Sequence, residues 1–301
     1  MKHWIQAARL RTLPLSLSGI IMGAFIAKWR LSQEGGVWDW RVFALALLVT
    51  LLYQILSNFA NDYGDGLKGT DKNRIGEAEQ RAVASGKITA IQMRNAVILL
   101  SILSFAATVA LLYVAFYPAN IREFWIFIGL GIACILAAIG YTVGKKPYGY
   151  MGLGDIFVFI FFGLVAVLGT EFTQAGRLSW SGLALAVGIG AMSSGVNLVN
   201  NIRDIPSDTE TGKITLAVRL GNEKARLLFT VLLLLPFLLT IGIAFGSWLA
   251  LAGLVYFPFA LRAIRTVNRG AQGPELIPVL GLTGRAMLLW AIIEAAALIL
   301  V

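Results

Sequence analysis

Nine apolar stretches, at about 13–27, 41–60, 93–117, 122–142, 153–171, 181–200, 227–246, 248–263 and 278–300, are separated by short polar segments. Most approach twenty residues, the length an α-helix needs to cross a hydrocarbon core of about 30 Å. They are continuous rather than alternating in strands of about ten residues, which disfavours a transmembrane β-barrel. The pattern predicts an all-α polytopic membrane protein with about nine transmembrane helices. Only Gly246, Ser247 and Trp248 part the seventh and eighth stretches, so one bent span over 227–263 is the alternative. Lys2, Arg9 and Arg11 precede the first stretch as in a secretory signal, but Ala24 and Ala27 offer only a weak cleavage site and the next polar loop is short. A retained first helix is expected.

Within this pattern one polar cluster is written twice. NFANDYGD at 58–65 and NLVNNIRD at 197–204 share N-x-x-N-[D/N]-x-x-D, pairing Asn58, Asn61, Asp62 and Asp65 with Asn197, Asn200, Asn201 and Asp204; Asp208 extends the second copy. Both copies close an apolar stretch, where a carboxylate near the bilayer centre costs roughly 2.5–3.5 kcal/mol on insertion scales. Two such clusters in matching places read as one shared site. On a continuous helix Asn58, Asp62 and Asp65 share a face, and Asn197, Asn201 and Asp204 make a similar stripe. Pro206 predicts a helix break near Asp204, with Ser207-x-x-Glu210 as a capping box for a new helical piece. The loop after the first copy contains EAEQRAVASGKIT, read as a short helix.

Composition and charge then narrow the chemistry. A chain 58% hydrophobic and 14% charged leaves no soluble module for nucleic acid. With nine spans, the loops on the N-terminal side hold 19 of the 25 Lys and Arg, against 5 opposite, with Arg285 inside the last span. The positive-inside rule therefore places the N-terminus and both motifs in the cytoplasm, and the net charge of +9 serves topology and contact with the lipid bilayer. The single cysteine, Cys134, and single histidine, His3, exclude a disulfide framework and a Cys-based or His-based metal site.

Four converging carboxylates, Asp62, Asp65, Asp204 and Asp208, would repel one another unless neutralised. All-oxygen ligands at this spacing suit Mg2+, which keeps several waters and is held by one or two carboxylates with substrate phosphates. Asn58, Asn61, Asn197, Asn200 and Asn201 are open to two readings, water-mediated metal contact or interhelical hydrogen bonds. Arg81, Lys145, Lys213, Arg219 and one of Arg9 and Arg11 are candidate phosphate contacts. A diphosphate head at the mouth of an apolar bundle implies a lipid-like substrate, whose allylic carbon could lose diphosphate with metal assistance.

NFANDYGDGLKGTD, YTVGKKPYGYMGLGD and NNIRDIPSDTETGKITLAVRLG resemble the three signature regions of the UbiA superfamily of intramembrane aromatic prenyltransferases. More narrowly they resemble its branch acting on 1,4-dihydroxy-2-naphthoate in bacterial menaquinone biosynthesis. The resemblance covers essentially the whole chain. It implies a single domain over 1–301, with nine helices around a cavity under cytoplasmic cap loops in the bacterial inner membrane. It also implies Mg2+-dependent transfer from a polyprenyl diphosphate to 1,4-dihydroxy-2-naphthoate, with loss of carbon dioxide, giving demethylmenaquinone. By position Asn61, Asp62 and Asp65 match the first aspartate-rich motif, Asp204 and Asp208 the second, Tyr141 and Lys145 a Y-x-x-x-K pattern, and Arg81 an R-x-x-x-S-G segment. One departure is Gly69, where the superfamily often has a third acid; Asp71 lies two positions later.

Asp155, in GLGD, could orient the acceptor hydroxyls, take a ring proton, or cap a helix. Arg285 either snorkels or faces the cavity, and Glu294 is too far along the same span to pair with it. Another acceptor such as 4-hydroxybenzoate keeps the same site. A transporter is the distant alternative, disfavoured because both acidic motifs lie on one face rather than at the midplane.

Overall fold

The computed structural model describes residues 1–69, 81–244 and 248–300. Among these, eight helical runs are long and apolar enough to cross a membrane, and there is no strand. In lipid, backbone N–H and C=O groups must be satisfied within a segment, so long apolar runs fold as helices. The first run joins α1 (Lys2–Ala8) through a 3-10 turn at Leu10–Thr12 to α2 (Leu13–Glu34). Next come α3 (Trp40–Lys68), α4 (Ala90–Phe116) and α5 (Ile121–Gly140). The following span consists of α6 (Gly154–Val158), a π-helical stretch at Phe159–Leu168 and α7 (Gly169–Ala175).

Beyond it lie α8 (Trp180–Arg203), the short α9 (Ile205–Glu210) and α10 (Leu216–Ala244), the last broken at Gly221. The eighth expected span is a 3-10 segment, Trp248–Tyr256, leading into α11 (Phe257–Asn268) rather than one long helix. The chain ends in α12 (Ile277–Ile299). The break near Asp204 occurs as expected, but Ser207 does not open α9: Pro206 fits its first turn, and Ser207 Oγ donates to Asp204 O at 3.0 Å. The described part of EAEQRAVASGKIT, from Arg81 on, is a run of turns rather than a helix.

Buried apolar side chains form three clusters. The largest joins α2, α8, α10, α11 and α12 through Met192, Phe229, Tyr256 and Trp290. A second joins α1, α3 and α4 around Leu56 and Met93, and a third joins α2 to α5 around Val49 and Phe116. α8 is the axis of the first, with 17 of its 24 residues buried. Small residues permit this close packing. A Cβ at Gly163 would lie 2.5 Å from Gly190 Cα and 2.6 Å from Ala186 O, which are parts of α8 that cannot swing aside. Gly163→Val is expected to destabilise the bundle by at least about 1–3 kcal/mol through overpacking, read as a lower thermal midpoint in detergent. An unchanged midpoint would show that the two segments separate freely.

Candidate functional site

The three clusters surround one cavity of about 830 Å3, lined from α2, α3, α4, α5, α8, α12 and the 157–173 segment. Tyr53, Phe127, Phe157, Phe161 and Phe162 line its apolar body; its polar wall carries the repeated motifs.

The first motif lies on α3, which continues helical through it as the spacing requires. Gln54 and Asn58 hold the N-terminal segment. Gln54 accepts from Ser16 Oγ and donates to Thr12 Oγ1, while Asn58 Nδ2 donates to Ala8 O at 2.8 Å and Thr12 Oγ1 at 3.1 Å. These bonds bring Arg9 and Arg11 to the cavity lining, with Arg9 held at φ 48°, a left-handed conformation costly for a non-glycine residue. Asn61 Oδ1 accepts from Thr142 Oγ1, which also reaches Ala60 O. The approach is close because residue 64 is glycine: a Cβ there would lie 2.6 Å from Thr142 Oγ1.

Asp62 and Asp65, both buried, line the cavity. Asp62 accepts the backbone N–H groups of Ala82 and Val83, one on each oxygen at 3.0 Å. Asp65 Oδ1 accepts from Tyr150 OH at 2.8 Å, and Arg81 stands 3.7 Å from Oδ2. Tyr150 also ties the two halves together. Its ring faces Lys68 Nζ at 4.4 Å and Lys213 Nζ at 5.5 Å, and its carbonyl accepts from Ile214 N–H.

In the second copy Asn197, Asn200, Asn201 and Arg203 line the cavity. Arg203 makes a bidentate pair with Asp204, at 2.7 and 2.8 Å, and Lys213, itself at the lining, stands 3.4 Å from Asp208. Asp204, Asp208 and Asp155 are buried just behind the lining rather than on it. Asp155 accepts from Asn197 and Asn201, and Tyr141 OH donates to Asn197 Oδ1 at 3.4 Å. Burial pushes the Tyr148 phenol above its ordinary range, so it stays neutral and donates to Ala137 O at 2.7 Å.

Not every expected residue converges. Lys145 is exposed and apart from the lining, and Arg219 donates to Met151 O instead. Asp71 lies outside the described residues. Arg285 faces the cavity, with Nε on Gly281 O, whereas Glu294 is fully buried elsewhere in α12. Sequence reasoning missed Gln54, Thr142, Tyr150 and the pairing role of Arg203. Arg203 lies within the second motif, but nothing in sequence spacing marks the other three.

Among the described residues no three acids, histidines or cysteines form a ready-made metal cage. The donor set nevertheless fits a hard cation: carboxylate and amide oxygens, with no histidine among the lining residues, the one thiol, Cys134, lying by Tyr53 in the apolar body, and room for substrate phosphates to complete the shell.

The profile of the UbiA prenyltransferase family matches residues 20–275. The chain belongs to that family. Among its UbiA relatives, the 1,4-dihydroxy-2-naphthoate octaprenyltransferase of Mycobacterium leprae is 46% identical, over 99% of this chain and 96% of that one. The protein of the same name from Haemophilus influenzae is 39% identical over 100% and 96%. The solved structure of a UbiA homolog from Archaeoglobus fulgidus bound to GPP and Mg2+ superposes with TM-score 0.68 at 15% identity, covering 98% of this chain and 99% of that one. That likeness establishes the fold.

Proposed function

We propose that this chain transfers a polyprenyl group from polyprenyl diphosphate to 1,4-dihydroxy-2-naphthoate, releasing carbon dioxide and diphosphate and forming the demethylmenaquinone skeleton. The observation that carries the reading is the joining of both polar motifs at the wall of one membrane-embedded apolar cavity. Arg9, Arg11, Arg81 and Lys213, all at the lining, supply cations for the diphosphate. Asp62 and Asp65, with Asn58, Asn61 and Asn201, would hold Mg2+ from the lining, and Asp204 and Asp208 would complete the acidic site from behind it, where they now pair with Arg203 and Lys213. When bound, Mg2+ screens the carboxylates from the diphosphate and stabilises charge on the leaving oxygen.

The remaining chemistry needs shape and water exclusion. The allylic C–O bond breaks with its electron pair on diphosphate, and the acceptor ring carbon bearing the carboxyl group supplies the pair for the new C–C bond. Loss of the carboxyl group as carbon dioxide returns its electrons to the ring. The aromatic faces of Tyr53, Phe127, Phe157 and Phe161 stabilise the allylic cation and keep water from it. Residues from Ile5 to Arg285 line this one cavity, which supports reading 1–301 as a single domain. The charge bias supports a cytoplasmic N-terminus and cytoplasmic motif loops, in keeping with the proposed bacterial inner-membrane location.

In liposomes with Mg2+ and a polyprenyl diphosphate, 1,4-dihydroxy-2-naphthoate is expected to give a prenylated 1,4-dihydroxynaphthalene, the reduced form of the quinone, and one carbon dioxide per turnover. Product from 4-hydroxybenzoate alone would overturn the acceptor but keep the site. No product from either would overturn the enzyme reading.

A further inference from the structure

We infer that Asp155 is a positioning residue, which fixes the asparagine amides of the second motif so that oxygen, not N–H, is offered to the cavity. The inference rests on reading that motif as a cation and diphosphate site. Asp155 sits in the first turn of α6, where its side chain makes no capping bond; Leu153 is the cap residue. Instead its carboxylate, 4% exposed, turns to α8: Oδ1 accepts from Asn197 Nδ2 at 2.9 Å and Oδ2 from Asn201 Nδ2 at 3.3 Å. Ser194 Oγ donates to Asp155 O at 2.8 Å and pins the backbone that carries it. Residues 197 and 201 are one helical turn apart, so one carboxylate serves both.

The orientation follows from chemistry. An ionised carboxylate only accepts, so each amide must turn its NH2 toward Asp155 and its carbonyl oxygen away. Asn197 Oδ1 receives Tyr141 OH. Asn201 lines the cavity, and among the described residues no donor meets its Oδ1. Without Asp155 the amide could flip and present N–H groups to a cation, which repel it. With both oxygens occupied by amides and the carboxylate itself behind the lining, Asp155 is badly placed to take a proton from the acceptor.

Asp155→Asn leaves one acceptor where two are needed and adds a competing NH2. Mn2+ serves as the probe, titrated by electron paramagnetic resonance into detergent-solubilised protein with inorganic diphosphate present. Mn2+ affinity is expected to fall roughly 10–100-fold, the range for partners that orient metal ligands. Adding Asn201→Asp should restore affinity to within about threefold of wild type, because a carboxylate has oxygen on every side and can accept from the amide introduced at position 155. Loss of packing alone would not be rescued this way. Wild-type Mn2+ affinity in Asp155→Asn, or no recovery in the double variant, overturns the inference. Lost turnover with unchanged Mn2+ affinity would place Asp155 on the acceptor side. Absence of Mn2+ binding by the wild type would instead overturn the reading of the motif as a cation site. If Asp155→Asn does not fold, Asp155→Ser, whose hydroxyl can accept from only one amide at a time in good geometry, is read the same way.

Discussion

Asp62→Asn is expected to lower prenyl transfer by at least about 10²-fold while the protein remains inserted and folded. Two effects combine. The carboxylate accepts the Ala82 and Val83 N–H groups on separate oxygens, and an amide retains only one acceptor. A buried N–H left without a partner costs about 1–3 kcal/mol, enough to release the Arg81–Ile88 turn. That turn carries Arg81 to Asp65 at the cavity lining, so its release would remove the proposed phosphate contact as well as a negative charge. Turnover in liposomes measures the first consequence, and proteolysis near Ser85 and Gly86 the second. Near-wild-type transfer would remove Asp62 from the site; lost transfer with an intact turn would leave charge alone as its contribution.

The other large effect is on stability, at the opposite end of α2. Glu171 is fully buried, and its Oε1 accepts from Arg30 Nη1 at 2.7 Å and Ser179 Oγ at 2.6 Å. Removing one partner of a buried pair leaves an uncompensated charge, a loss of about 3–5 kcal/mol. Arg30→Met should therefore lower the thermal midpoint by at least about 5 °C. Combining it with Glu171→Gln should recover most of that loss, since the remaining group is neutral and still accepts from Ser179. Activity per folded molecule should not change in either variant, because neither residue lines the cavity. A single variant as stable as wild type would mean that water reaches Glu171.

Much of the architecture was legible because lipid leaves the backbone few choices. Long apolar stretches become helices, so seven of the nine expected spans appear as single helical runs, with α6, its π-helical continuation and α7 making another. The exception, 248–268, divides into a 3-10 segment and α11. It was also the stretch whose separation from its neighbour was least marked. Helical spacing likewise placed Asn58, Asp62 and Asp65 on the face that meets the cavity. Periodicity states which face a residue shares. It does not state what stands opposite.

That second question belongs to tertiary structure. Asp62 meets a turn 20 residues away, Asp65 meets Tyr150 across 85, and Asp155 meets Asn197 across 42. No local pattern encodes such pairings. The same limit explains Lys145, which the Y-x-x-x-K resemblance brought into the site but the turn after α5 leaves in solvent. Hydrophobic length and helical period are properties of a chain, and they dictate a helical membrane bundle with one repeated oxygen-rich site. Which acids line the cavity and which stand behind it was settled by packing, because hydrogen bonds between distant segments form only once helices have docked.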